Sequence, residues 1–151
     1  MSRPGRPPGL FSRFARRLYG QDREAYLTIR AGTNSLEITA HVDSRDSVGI
    51  NKMVIFCLDL TAAVIAHRQG RGPDFLVHDS HLFDGVDDRQ VTEALTLAAE
   101  VAAEEGLQYV ATFNSDKLER ARLGGFDPAP YVIEPRLNDT FDEGGLFGFQ
   151  F

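Results

Sequence analysis

Apolar residues recur at helical spacing at the start of the chain. Leu10, Phe11, Phe14, Ala15 and Leu18 share one face from Leu10 to Tyr19, and Arg13, Arg16 and Arg17 lie mostly off it. The period then changes. Tyr26 to Ile29 and Leu36 to Val42 alternate apolar and polar residues around Gly32-Thr33-Asn34, which predicts an antiparallel hairpin. Ile50 to His67 is apolar nearly all round, the pattern of a buried helix. Gly70 to Pro73 breaks it, and Phe75 to His78 reads as a short buried strand. Asp87 or Asp88 can cap a helix over Arg89 to Glu105, with Val91, Leu95, Ala98, Ala99 and Ala102 inward and Gly106 ending it. Gln108 to Thr112 is the next strand. Helix then strand, twice, implies parallel strands joined by right-handed crossovers.

Beyond Asn114 the pattern loosens. Lys117 to Leu123 fits a short helix. Tyr131 to Leu137 reads as a strand that Pro135 confines to an edge, and the alternation from Gly144 to Phe151 reads as a final strand. The fold class is α/β, a mainly parallel core with a small antiparallel N-terminal part. Residues 1–9, rich in Pro and Gly, form a disordered or extended leader to a single domain over 10–151.

Composition narrows the class. At 151 residues the chain suffices for one domain with a proper core. A net charge of −6 argues against a general nucleic-acid binder, so any DNA contact is local or comes through a partner. The first 20 residues run the other way, with five arginines and no acid; they suit either a solvated helix or contact with a phosphate backbone or acidic partner. Cys57, the single cysteine, sits in an apolar run and reads as an inert core thiol. Lys52 and Asp59 interrupt the longest apolar stretch, against a membrane span, and no secretory h-region is visible; a cytoplasmic protein is expected.

Three segments carry candidate chemistry. Ser47-Val48-Gly49 opens the apolar helix and offers a hydroxyl and backbone N–H groups along a helix dipole, which suits phosphate. The strand from Phe75 delivers Asp79 to its C-terminal edge, ahead of an acidic turn, Asp84-Gly85-Val86-Asp87-Asp88, and such a carboxylate suits Mg²⁺ through water. Asn114 ends the next strand, where it suits a hydrogen bond to phosphate or to an attacking water. Alternatively, His78-Asp79-Ser80-His81 would make a metal-dependent hydrolase if a turn reunited histidines that alternate to opposite sides of a strand. No G-x-x-x-x-G-K-[ST] occurs, so the chain has no P-loop to cradle β- and γ-phosphates.

The stretches SVGINKMVIFCLDL, FLVHDSHLFDGVDDRQ, QYVATFNSD and GGLFGFQF resemble a bacterial family, DUF2326, found at the C-terminal end of coiled-coil SMC-like ATPases. More loosely, the chain resembles the C-terminal lobe of an SMC/Rad50-like ABC ATPase head. That resemblance implies roles. Ser47 and Gly49 match the signature motif, Asp79 the Walker B aspartate near Mg²⁺, and Asp87, displaced by about one residue, the D-loop aspartate. Asn114 lies near the switch histidine's place. Ser80 stands where a catalytic Glu is usual and is a poor general base; His81 or Asp84 remains open as a substitute. The implied protein binds ATP and Mg²⁺ only in a complex with a separate Walker A lobe, and works in DNA repair, maintenance or defence against foreign DNA. It is then either a separately encoded lobe or a fragment. The other reading is a non-catalytic regulatory or dimerising module. Both imply an obligate partner or self-association, because a half-head exposes the surface that meets its other lobe.

Overall fold

The computed structural model describes residues 9–43, 48–138 and 144. The order is α1 (Leu10–Tyr19), β1 (Ala25–Ala31), β2 (Leu36–Val42), α2 (Val48–Arg68), β3 (Phe75–His78), a 3-10 turn (Ser80–Phe83), α3 (Asp88–Glu105), β4 (Gln108–Ala111) and α4 (Ser115–Leu123). Four helices thus accompany two small sheets, an antiparallel β1–β2 hairpin and a parallel β3–β4 pair. The expected mainly parallel sheet is not found among the described residues: one parallel pair stands beside one antiparallel pair, and only α3 joins parallel strands.

The core forms where the helices present their apolar stripes. Phe11, Phe14, Ala15 and Leu18 of α1 are buried, as their spacing predicts. Residues 53, 56, 57, 60 and 64 of α2 are the buried Met, Phe, Cys, Leu and Val. The reading of α2 as buried all round needs correction, because Ile55 and Ile65 face outward. Burial pushes the Cys57 thiol up to about 12, in keeping with an inert core residue. α3 contributes Val91, Ala94, Leu95, Ala98 and Val101. Its ends follow the sequence signals: Asp87 accepts from the N–H groups of Arg89 (3.0 Å) and Gln90 (3.4 Å). Gly106 closes the helix in the left-handed region at φ 74°.

Arg17 of α1 reaches α3, paired with Glu100 at 2.5 Å and Glu93 at 3.3 Å. This arginine therefore staples two helices and is not held out to a phosphate backbone.

Two expected strands have different outcomes. Tyr131 to Leu137 forms no ladder among the described residues; it starts in a turn tied to Pro128 and leaves Ile133 80% exposed. An edge segment that lacks a neighbour strand has nothing to pair with, and Pro135 has no N–H to offer one. The final strand and the leader lie outside the described residues, apart from Gly144 and Gly9, and so does Ser47.

Candidate functional site at the end of the parallel pair

β3 and β4 run in register, Phe75 opposite Gln108 and His78 opposite Ala111, so their carboxyl ends finish side by side. Alternation sends Leu76, His78, Tyr109 and Ala111 inward and Phe75, Val77 and Val110 outward. The chain then turns at once. Thr112 N–H donates to the His78 carbonyl (3.1 Å), and Ser80 N–H donates to Thr112 Oγ1 (3.0 Å), which fastens the two strand ends together. Asp79 is exposed at this edge, as its position in sequence predicts.

Asp79 caps the 3-10 turn. Its Oδ1 accepts from His81 N–H at 2.9 Å and from Ser80 Oγ at 3.3 Å. The same turn brings His81 Nδ1 within 3.2 Å of Asp84 Oδ2, with both side chains exposed. Three candidate residues, Asp79, His81 and Asp84, are thus gathered by one turn. Asp87 is spent on capping α3. Asn114 holds the N-cap position of α4, yet its side chain makes no capping hydrogen bond. It stands exposed just past β4, and its carbonyl accepts from Lys117 and Leu118. Gly49 lies in the first turn of α2.

Two lysines that the sequence reading did not single out hold the acidic loop. Lys52 Nζ donates to the carbonyls of His81 (2.7 Å) and Asp84 (2.9 Å). Lys117 Nζ donates to the Val86 carbonyl (2.8 Å) and to Asp88 Oδ1 (3.1 Å). Gly85, at φ 71°, supplies the left-handed residue between the two clasps. Lys52 links α2 to the loop that carries Asp79 and Asp84. The signal was a lysine inside an otherwise apolar helix, which needs a polar partner nearby.

Beneath this edge lies a second polar cluster. His78 is buried, with Nδ1 at 2.9 Å from the Tyr109 hydroxyl and Nε2 at 3.3 Å from Asp59 Oδ2. The rings of Phe56, Phe83 and Tyr109 surround it. Burial lowers the His78 pKa, and the Asp59 carboxylate partly offsets this. Burial also raises that of the Tyr109 phenol. His78 therefore points into the core and His81 out to solvent, so the two do not reunite around a metal. Among the described residues, no group of three or more His, Cys, Asp or Glu side chains is arranged to hold a metal ion. The metal-hydrolase alternative loses its geometric basis.

The exposed edge offers one carboxylate, a histidine–carboxylate pair and an uncommitted amide. A lone carboxylate fits a Mg²⁺ bound mainly through water and phosphate, because that ion dehydrates reluctantly. A cleft of about 410 Å³ opens elsewhere, between α4 and residues 127–136, and is lined by Ser115, Arg122, Asp127 and Arg136. None of the candidate residues lines it. No described helix is long and apolar enough to cross a membrane.

No curated protein and no solved structure matches the chain. A family model described as "Uncharacterised protein conserved in bacteria (DUF2326)" matches residues 14–151, nearly the whole chain, and the protein belongs to that family.

Proposed function

We propose that this chain is one lobe of an SMC/Rad50-like ATPase head, completed by a Walker A-bearing lobe on another polypeptide. The observation that carries this reading is the bare outer face of the parallel pair. Parallel strands are ordinarily covered on both sides. Here Phe75 and Val77 are 51% and 54% exposed on the face opposite the core. A partner lobe would cover this face, and the carboxylate at the edge of the sheet is where a bound nucleotide would meet it.

In that assembly Asp79 would hold Mg²⁺ through water, and Mg²⁺ would supply charge neutralisation to the phosphates of ATP. Ser47 and Gly49, as signature-motif residues, would cap the γ-phosphate of ATP bound to the opposite head of a head dimer, and Asn114 would hydrogen-bond to phosphate or to the attacking water. His81 or Asp84, paired at 3.2 Å, would accept a proton where Ser80 replaces the usual Glu. Lys52 and Lys117 keep the loop in place. Work on DNA follows from the SMC-like resemblance alone.

Calorimetric titration of Mg-ATP into the isolated chain should be silent, because the sequence has no P-loop. With the Walker A-bearing chain present, Asp79→Asn should abolish turnover. The amide oxygen can still accept from His81 N–H, so the turn survives while the charge is lost. Undiminished turnover in Asp79→Asn would falsify the proposal. A second reading, a non-catalytic module that kept the fold, is favoured by Ser80, whose hydroxyl is bonded to Asp79. It predicts a complex that binds ATP and does not hydrolyse it.

A further inference from the structure

The two connections that lead into the parallel pair meet at one point. α2 ends at Arg68 and passes to β3 through residues 69–74; α3 ends at Glu105 and passes to β4 through Gly106 and Leu107. The first rung of the pair joins them, because Gln108 N–H donates to the Asp74 carbonyl at 2.9 Å. α3 has no basic residue in its last turn, whereas α2 has His67 and Arg68 in its own. A helix C-terminus presents unpaired carbonyls and partial negative charge, so α2 supplies the cations that α3 lacks. Arg68 holds the Glu105 carboxylate through two hydrogen bonds, at 2.5 and 2.8 Å. His67 puts one ring nitrogen on each connection: Nε2 is 2.9 Å from the Glu105 carbonyl and Nδ1 is 2.7 Å from Asp74 Oδ1. The charges that bear on the ring are Asp74 and Glu105; Arg68 and, from α1, Arg13 act in turn on Glu105.

A carbonyl and an ionised carboxylate both accept and neither donates, so only the imidazolium satisfies the two contacts together. Once the ring loses a proton, one nitrogen is an acceptor that faces another acceptor. The two contacts are unequal. The Asp74 side chain is 75% exposed, so water can replace the ring there. The contact with the Glu105 carbonyl is part-buried, at a helix end that needs a donor. The remaining proton therefore belongs on Nε2. Residues 69–72 do not depend on the ring, since Gly70 N–H donates to the His67 carbonyl and Arg71 N–H to that of Ala66, each at 2.9 Å. We propose that His67 is a proton-operated clasp: as the imidazolium it fastens the start of β3 to the end of α2, and as the neutral ring it releases Asp74 and loosens the first rung of the parallel pair while α2 and α3 stay joined. The proposal goes beyond the nucleotide reading and does not rest on it.

The test is NMR of the isotope-labelled full chain from about pH 5 to 9, following the His67 ring and the hydrogen exchange of the Gln108 amide. The ring should titrate with a midpoint above about 6.5, the value of a free histidine. Above that midpoint the neutral ring should carry its proton on Nε2. Protection of the Gln108 amide, corrected for base-catalysed exchange, should fall by about threefold or more through the same midpoint. In Asp74→Asn the midpoint should fall, because the carboxylate that favours the imidazolium is gone. In His67→Gln the step in Gln108 protection should vanish. Should His67→Gln fail to fold, Asp74→Asn alters an exposed side chain and keeps the test decisive. A midpoint at or below that of a free histidine, a neutral ring protonated on Nδ1, or Gln108 protection that takes no step with the ring overturns the proposal.

Discussion

The two small sheets differ in the face that each turns away from the core. The hairpin turns a polar face to water: Thr28 and Thr39 are paired across it, Arg30 faces Glu37, and the rings of Tyr26 and His41 stack at 4.6 Å. That face needs nothing further. The parallel pair turns Phe75 and Val77 to the same solvent, with Val110 half-buried on that face. Exposure thus suits the polar side of the hairpin, whereas on the parallel pair it leaves Phe75 and Val77 in water on a kind of sheet that is ordinarily covered on both faces. On its inner side the same pair is closed by α2, through Phe56 and the contact of His78 with Asp59.

The largest effect should come from that inner side. Phe56 is fully buried and its ring meets those of His78, Phe83 and Tyr109. Phe56→Ala should cost about 3–5 kcal/mol in urea denaturation, the range for deleting a buried aromatic ring. A loss below about 1 kcal/mol would mean that α2 does not close the inner face as described.

Next in size is the cap that starts α3. Asp87→Ala removes the acceptor for two backbone N–H groups and should cost about 1 kcal/mol. Were Asp87 instead held out for nucleotide chemistry, its removal would leave the stability of the isolated chain unchanged and alter only turnover.

These elements also show what a sequence reveals. α1, the hairpin and α3 rest on local signals: an apolar stripe, a turn between alternating runs, a capping aspartate, a terminal glycine. Their boundaries were legible to within a few residues. The strand expected at Tyr131 to Leu137 had the right local pattern but no neighbour to pair with among the described residues, and pairing is not a local property. The candidate site divides in the same way. Asp79 at a strand end was readable from Phe75-Leu76-Val77 and the acidic turn. Lys52 and Lys117, 29 to 32 residues from the carbonyls they bond, were not. Nor was the inward turn of His78 onto Asp59, since only the fold brings α2 and β3 together.

Two histidines give opposite pH slopes. His67 lies with Nδ1 at 2.7 Å from Asp74 Oδ1 and Nε2 at 2.9 Å from the Glu105 carbonyl. Both partners are acceptors, so the imidazolium satisfies both, and its pKa is raised, chiefly by the Asp74 hydrogen bond. Its contribution is fully present below the unfolded value of about 6.5 and is lost as pH rises through the raised folded value. His78 has a lowered pKa. Its contribution is present above about 6.5 and is lost as pH falls through the folded value. Denaturation midpoints followed from about pH 5 to 9 should flatten on the alkaline side in His67→Gln and on the acid side in His78→Gln. Parallel shifts at every pH would show that neither proton is linked to folding.

The smallest effect should fall on the bare side of the parallel pair. Val77→Thr keeps the shape and β-branching of valine and adds a hydroxyl. A buried valine so changed would leave that hydroxyl short of a partner, at roughly 1–3 kcal/mol. At an exposed position water satisfies it, and the stability of the isolated chain should move by less than about 0.5 kcal/mol. In the complex with the proposed completing lobe, the same hydroxyl would be desolvated under the layer the partner supplies, and association should weaken by about tenfold, the equivalent of 1.4 kcal/mol. The pair of measurements separates the two readings of the outer face. A variant silent in the chain and costly in the complex marks a face that a partner covers. A variant silent in both marks a surface that stays wet, and the half-head reading would then lack its main support.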